Sequence, residues 1–339
     1  MTTTYQPIAI LGAGSWGTAI GLTLARRGQT VHIWSIETSE ITAMQEEKYN
    51  NRYLPGIPLP DTLIPMLDLE QTVRGVKDIV MVVPSAGYRA TLEKLLPLST
   101  VETRILCAAK GLDGETGELL GQVTAGVMGA QCPFAVLSGP SFAKEVAMGL
   151  PVAVDLASAN ALMLRELTER FDQPLFNIHP CTDVVGVELG GVVKNVLAVG
   201  TGLIDGLELG ASARSAFMTQ GLHEMIRLGV ALGANPETFF GLSGIGDMIL
   251  TCTDDLSRNR RLGLALGRGK SVTEAEQEIG QAIEGKRNAD TVSRLAARLK
   301  VNMPICNSIN LIVQGKIQPE SILPSLLAGK SVEIPQQIS

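Results

Sequence analysis

The sequence predicts an α/β fold in its first half, a doubly wound parallel sheet, followed by an all-α second domain. Three observations predict it. The chain begins with a short apolar run, a glycine loop and an amphipathic segment (IAILGAGSWGTAIGLTLARRG, residues 8–28). Continuous apolar runs recur through the first half, as in strands buried on both faces of a parallel sheet. After Val187 the texture changes to helical periodicity. A chain of 339 residues is too long for one ordinary core and suits two domains, here 1–187 and 188–339.

The bulk composition excludes several classes. A net charge of −6, with no basic block or interleaved aromatic stripe, leaves no electrostatic footprint for nucleic acid. An anionic substrate must therefore be met by a local cluster. Five cysteines are an odd number, widely scattered, with no C-x-x-C spacing and no secretory leader before them, so the expectation is a reduced, cytoplasmic protein. The longest apolar stretch, Val187 to Ile204, is interrupted by Glu188, Lys194 and Asn195, which argues against an integral membrane protein. His32, His179 and His223 stand apart from one another and from any cysteine pair, so no metal is expected.

In chain order, MTTTYQP reads as a frayed tail and Ile8–Leu11 as the first strand. Gly12 makes the turn off it, Gly14 lets a pyrophosphate approach the backbone, and Gly17 lets the following helix pack closely. The helix N-terminus then faces the anion, so this is a Rossmann-type dinucleotide site. Gly28 stops the helix and Thr30–Trp34 forms the second strand, placing Ser35, Ile36 and Glu37 at the ribose end. Tyr53 to Pro65 is rich in proline and reads as a surface excursion. Further strands are expected at Ile79–Pro84, Ile105–Ala109, Phe134–Leu137, Pro151–Asp155 and Leu175–Ile178, with a helix at Leu162–Phe171. The loop Ser138 to Glu145 is small, polar and poor at regular structure.

From there eight helices are expected: Glu188–Gly206, Ser212–Gly233, Gly244–Cys252, Arg258–Gly267, Val272–Gly280, Arg287–Leu299, Met303–Val313 and Pro319–Leu327. The tail Ile334–Ser339 looks loose.

Four polar features stand out. Lys110 follows a buried strand, where it is either surface punctuation or part of a site. Lys194 lies mid-helix among apolar residues, so it either snorkels to water or has its proton affinity tuned by burial, as a general acid or base. Asp247 follows a glycine turn at a helix start, either as a capping acid or as the partner that orients a catalytic lysine. Ser257 is a good N-cap, and Arg258 beside free backbone N–H groups makes either a phosphate site or one end of a solvated basic face.

Taken jointly, these pieces resemble the NAD(P)-dependent glycerol-3-phosphate dehydrogenase family of bacterial type, over nearly the whole chain. The carrying stretches are residues 12–19 (GAGSWGTA), 109–112 (AKGL), 137–146 (LSGPSFAKEV), 188–196 (ELGGVVKNV), 241–247 (GLSGIGD), 257–259 (SRN) and 284–285 (EG). The resemblance implies reduction of dihydroxyacetone phosphate to sn-glycerol 3-phosphate with NADP or NAD as cofactor, feeding phospholipid synthesis. It implies that Lys194 exchanges the proton on the substrate oxygen, that Asp247 positions the amine, and that Lys110 contacts substrate and cofactor. Gly139, Ser141, Ser257, Arg258 and Asn259 would line the substrate pocket, and Ser15, Trp16, Ala143, Arg258 and Glu284 would touch the cofactor along with Gly12, Gly14 and Gly17. A cytoplasmic homodimer acting on a small molecule is implied too.

Three positions depart from the family pattern. Ser35 and Ile36 stand where relatives commonly carry a basic residue, so weak discrimination is expected, leaning to NADPH through Arg26, Arg27, Lys48 or Arg52. Gln220 stands where relatives often have arginine. The rival readings are another phosphorylated-alcohol or β-hydroxyacid dehydrogenase with a Lys-Asn pair, and a catalytically dead nucleotide sensor.

Overall fold

A computed structural model describes residues 5–322. The expected frayed start at residues 1–4 and loose end at 334–339 lie outside the described residues. The chain divides into two compact units, Met1–Asp113 with Leu119–Val184, and Gly114–Glu118 with Val185–Ser339.

The first unit alternates strands and helices: β1 (Ile8–Leu11), α1 (Ser15–Ala25), β2 (Val31–Trp34), α2 (Thr38–Glu47), β3 (Leu63–Met66), α3 (Leu69–Val73) and β4 (Asp78–Met81). It continues with α4 (Ser85–Leu95), β5 (Arg104–Cys107), α5 (Leu120–Met128), β6 (Phe134–Ser138), α6 (Ala143–Met148), β7 (Val152–Ala157), α7 (Ala161–Phe171) and β8 (Phe176–Cys181). The sheet runs β3-β2-β1-β4-β5-β6-β7-β8.

Strand β1 shows why both faces are covered. Ile8 and Ile10 join one core cluster, Ala9 and Leu11 the other, because successive side chains point to opposite faces. All four are fully buried. The strand order reverses between β1 and β4, and in such sheets ligands bind beyond the carboxyl ends of the strands at that point.

Three local expectations are corrected. The sheet is not wholly parallel, since β6 and β7 pair antiparallel (Leu137 opposite Leu156). The link between them holds only the six-residue α6. The proline-rich stretch ends in a strand, β3, whose Pro65 sits opposite Ile33. Proline is tolerated there because β3 is the sheet edge, where a missing N–H costs no ladder bond. The loop after β6 turns helical at Ala143, where Arg26 Nη2 donates to Ala147 O at 2.6 Å.

In the second unit α8 (Val184–Gly206) is the core, with every residue from Gly186 to Ile204 buried. It is long and apolar enough to cross a membrane, yet 89% of its most apolar window is buried inside the fold. Around it lie α9 (Gly210–Ala231), α10 (Asp247–Thr253), α11 (Arg258–Gly267), α12 (Val272–Ile279), α13 (Glu284–Leu299) and α14 (Pro304–Val313). Helices α8 and α11 touch backbone to backbone: a Cβ on Gly263 would lie 1.8 Å from Val199 O, and one on Gly202 would lie 2.0 Å from Arg260 O. The expected helix at Gly244–Cys252 is split into a π turn, Leu242–Gly246, and α10. Of the helix expected at Pro319–Leu327, Pro319–Ile322 forms a 3-10 turn and 323–327 lie outside the described residues.

Candidate active site

In the first unit the carboxyl edge of the sheet is built around the β1–α1 loop. Gly12 has φ +121°, and a Cβ there would lie 2.7 Å from the Val82 carbonyl carbon, so no other residue fits between β1 and β4. Gly14 faces open space, with no atom within 4 Å of where its Cβ would be. It also gives α1 no side-chain cap, so the first-turn N–H groups face outward for an anion. Trp16 Nε1 is buried with no hydrogen-bond partner among the described residues. An open glycine backbone, an uncapped helix and an indole donor awaiting an acceptor fit a dinucleotide pyrophosphate.

Along the same edge, β5 delivers Lys110 and β6 delivers Gly139. Lys110 Nζ donates to Gly139 O at 3.3 Å, and Ser141 Oγ donates to the same carbonyl at 3.0 Å. Gly139 has φ +152°, and a Cβ there would lie 2.8 Å from Val154 Cα. Ala143 opens α6 a few residues on.

In the second unit the buried lysine has a buried partner. Lys194 Nζ donates to Asp247 Oδ1 at 2.7 Å and to Thr251 Oγ1 at 2.7 Å, with the Lys194 side chain 7% exposed and that of Asp247 1%. Thr251 was not singled out from sequence. Its signal was there in outline, four residues after Asp247 on the same helix face, and its hydroxyl lies 3.3 Å from Asp247 Oδ1. The neighbouring Cys252 thiol is pushed up to about 12 by burial, so it stays protonated beside this pair.

A second knot ties three helices together. Asn259 Nδ2 donates to Asn195 Oδ1 at 2.8 Å, and Asn259 Oδ1 accepts from Gly285 N at 2.8 Å. The Asn259 side-chain amide is thus engaged at both ends. Ser257 caps that helix by accepting from Arg260 N at 3.2 Å. Arg258 opens it, with Nη1 3.3 Å from Gln281 Oε1, while Glu284 opens α13. Arg260 belongs to no solvated face, since it is buried against Asp205 at 2.6 Å and Asp255 at 2.9 Å.

Comparison with known proteins bears on both units. Residues 7–163 match the family model for the N-terminus of NAD-dependent glycerol-3-phosphate dehydrogenase, and residues 183–324 match the model for its C-terminus. A protein of Xanthomonas campestris pv. campestris (strain B100) named glycerol-3-phosphate dehydrogenase (NAD(P)+) is 45% identical over 339 residues, 100% of this chain and 99% of that one. One of the same name from Coxiella burnetii (strain RSA 331) is 49% identical over 322 residues, 95% of this chain and 96% of its own. The crystal structure of glycerol-3-phosphate dehydrogenase from Coxiella burnetii superposes with a TM-score of 0.94 at 48% identity, covering 96% of this chain and 100% of that one. The chain belongs to the NAD-dependent glycerol-3-phosphate dehydrogenase family.

Proposed function

We propose that this protein reduces dihydroxyacetone phosphate to sn-glycerol 3-phosphate with NAD(P)H, supplying glycerophospholipid synthesis. The observation that carries the reading is the buried Lys194–Asp247 pair. A charged lysine away from water needs a partner, and carbonyl reduction by hydride needs a proton donor where alkoxide charge develops, which an ammonium supplies. Residues 1–187 supply most of the cofactor contacts and 188–339 the proton donor and the phosphate site.

A bound nicotinamide supplies the hydride that reduces the C2 carbonyl carbon. As negative charge builds on the carbonyl oxygen, the Lys194 ammonium hydrogen-bonds it and gives up a proton, leaving a secondary alcohol and a neutral amine. Asp247 and Thr251 hold that amine in one direction, and the carboxylate favours its return to the ammonium form. Arg258 and the N-terminus of α11, capped by Ser257 and anchored by Asn259, take the substrate phosphate. Lys110, Gly139 and Ser141 border the substrate, with Lys110 also toward the cofactor. Trp16, Ser15 and the loop glycines hold the pyrophosphate, while Ala143, Arg258 and Glu284 complete the cofactor contacts. The proposal extends to a homodimer in the cytoplasm, which sedimentation and fractionation would check.

An absorbance assay following NAD(P)H oxidation tests the activity. Turnover with dihydroxyacetone phosphate is expected. Turnover only with a β-hydroxyacid's keto form would favour the rival dehydrogenase, and binding without turnover of either would favour a sensor.

A further inference from the structure

The residues beyond β2 carry an arrangement that the proposed chemistry does not use. The Asn50–Leu54 turn is stitched onto the phosphate loop. Asn50 Nδ2 donates to Ala13 O at 2.8 Å and to Thr18 Oγ1 at 2.7 Å, and Ser15 Oγ donates to Tyr53 O at 3.3 Å. The loop is fixed to the strand tip in turn, since Gly12 N donates to Trp34 O at 2.7 Å. Arg52 projects from the stitched turn across to the strand tip. Its Nη1 meets Glu37 Oε2 at 3.2 Å and also the Glu40 carboxylate, and its guanidinium lies 5.3 Å from the Tyr53 ring centroid.

Arg26 and Arg27 follow α1, at the amino end of β2 opposite this tip, and both are directed elsewhere. Arg26 donates to Ala147 O, and Arg27 Nη1 donates to Asp172 O at 2.7 Å. Arg52 remains 62% exposed although paired, so an incoming group can reach it.

We infer that Arg52 reads the 2′ position of the bound dinucleotide, with Glu37 and Glu40 as its resting partners. This rests on the reading of the β2 tip as the ribose end of a nicotinamide dinucleotide site. A 2′-phosphate draws the guanidinium off the carboxylates, because a dianion offers it two charge-assisted bonds in one plane. A 2′-hydroxyl leaves the pair in place and donates to Glu37, as an acid at a strand tip ordinarily accepts. One cluster therefore serves both cofactors. Discrimination is weak because the attraction of Arg52 for the phosphate is offset by losing Glu37 and Glu40 and by their repulsion of the anion. Glu40 tempers that repulsion: burial, then the neighbouring Glu37, pushes its carboxyl up to about 7.

The test is calorimetric titration of the full chain with NADP+, NAD+, 2′,5′-ADP and 5′-AMP. Arg52→Gln is expected to lower the NADP+ to NAD+ affinity ratio at least about tenfold and to remove the advantage of 2′,5′-ADP over 5′-AMP. Glu37→Gln is expected to move the ratio the other way. If wild type binds both dinucleotides and neither variant moves the ratio by more than about twofold, Arg52 is not the reader. If wild type binds neither dinucleotide, the reading of the strand tip fails and takes this inference with it.

Discussion

Lys194 and Asp247 are 53 residues apart in the chain and 2.7 Å apart in the fold, each almost completely removed from water. An ion pair in that position is weak evidence for stability, since desolvation of both charges offsets most of their attraction. It is better evidence for an amine held ready.

Replacing Lys194 by Met keeps most of the apolar stem and deletes the proton donor. The expected outcome is a folded protein that binds NAD(P)H normally and loses at least about a hundredfold in kcat. Near-normal kcat in a folded Lys194→Met variant would remove Lys194 from the acid role.

Arg258 is assigned to the substrate phosphate, and a charge-assisted contact is worth about 1.5–3 kcal/mol. Arg258→Ala should therefore lower kcat/KM for dihydroxyacetone phosphate by about tenfold to a hundredfold. Unphosphorylated dihydroxyacetone, assayed in parallel, should be far less sensitive. Equal loss on both substrates would leave Arg258 with structure or the cofactor alone and remove it from the phosphate.

The α8–α11 crossing predicts an effect on stability. Gly263→Ala drives a methyl into Val199 O and should cost about 3 kcal/mol in denaturant unfolding. Gly126→Ala is the control. Gly126 sits in α5 with nothing within 4 Å of its would-be Cβ, so the substitution should be neutral or slightly stabilising. Similar losses at both positions would mean that the crossing is not special.

Glu40 predicts a pH dependence. Its carboxyl is raised from 4.5 to about 7 in the fold, by burial first and by Glu37 second, with Arg52 opposing and Tyr53 also facing it. Between those values the folded chain holds a proton that the unfolded chain has released. The stability contribution is thus full below 4.5 and is lost as pH rises through 7. Unfolding free energy measured across that window should fall less steeply in Glu40→Gln than in wild type. Parallel slopes would show that Glu40 is not the titrating group.

The glycine loop and the Lys194 helix were legible because their signals are local: a motif between a strand and a helix, and a charge inside an apolar period. The part played by Thr251 was not, because its bond to Lys194 spans 57 residues that no short window joins. Sequence gave no way to see that the Asn259 amide turns inward onto Asn195 and Gly285, or that Arg26 and Arg27 are engaged by backbone carbonyls. The prolines that hid β3 mislead for a physical reason: they rule out helix and central strand, yet permit an edge.

The burial of α8 has a consequence during synthesis. The side chains and backbone it packs against, from Phe217, Ser243, Arg260, Asn288 and Ile309, are all encoded after it. A ribosome adds about 5–20 residues per second, so a 23-residue apolar helix leaves the exit tunnel seconds before α14 can cover it. For that interval the segment meets the length and hydropathy that mark a membrane span. Nascent chains stalled soon after Gly206 has emerged should therefore bind chaperone or bilayer, and chains stalled after α14 has emerged should bind neither.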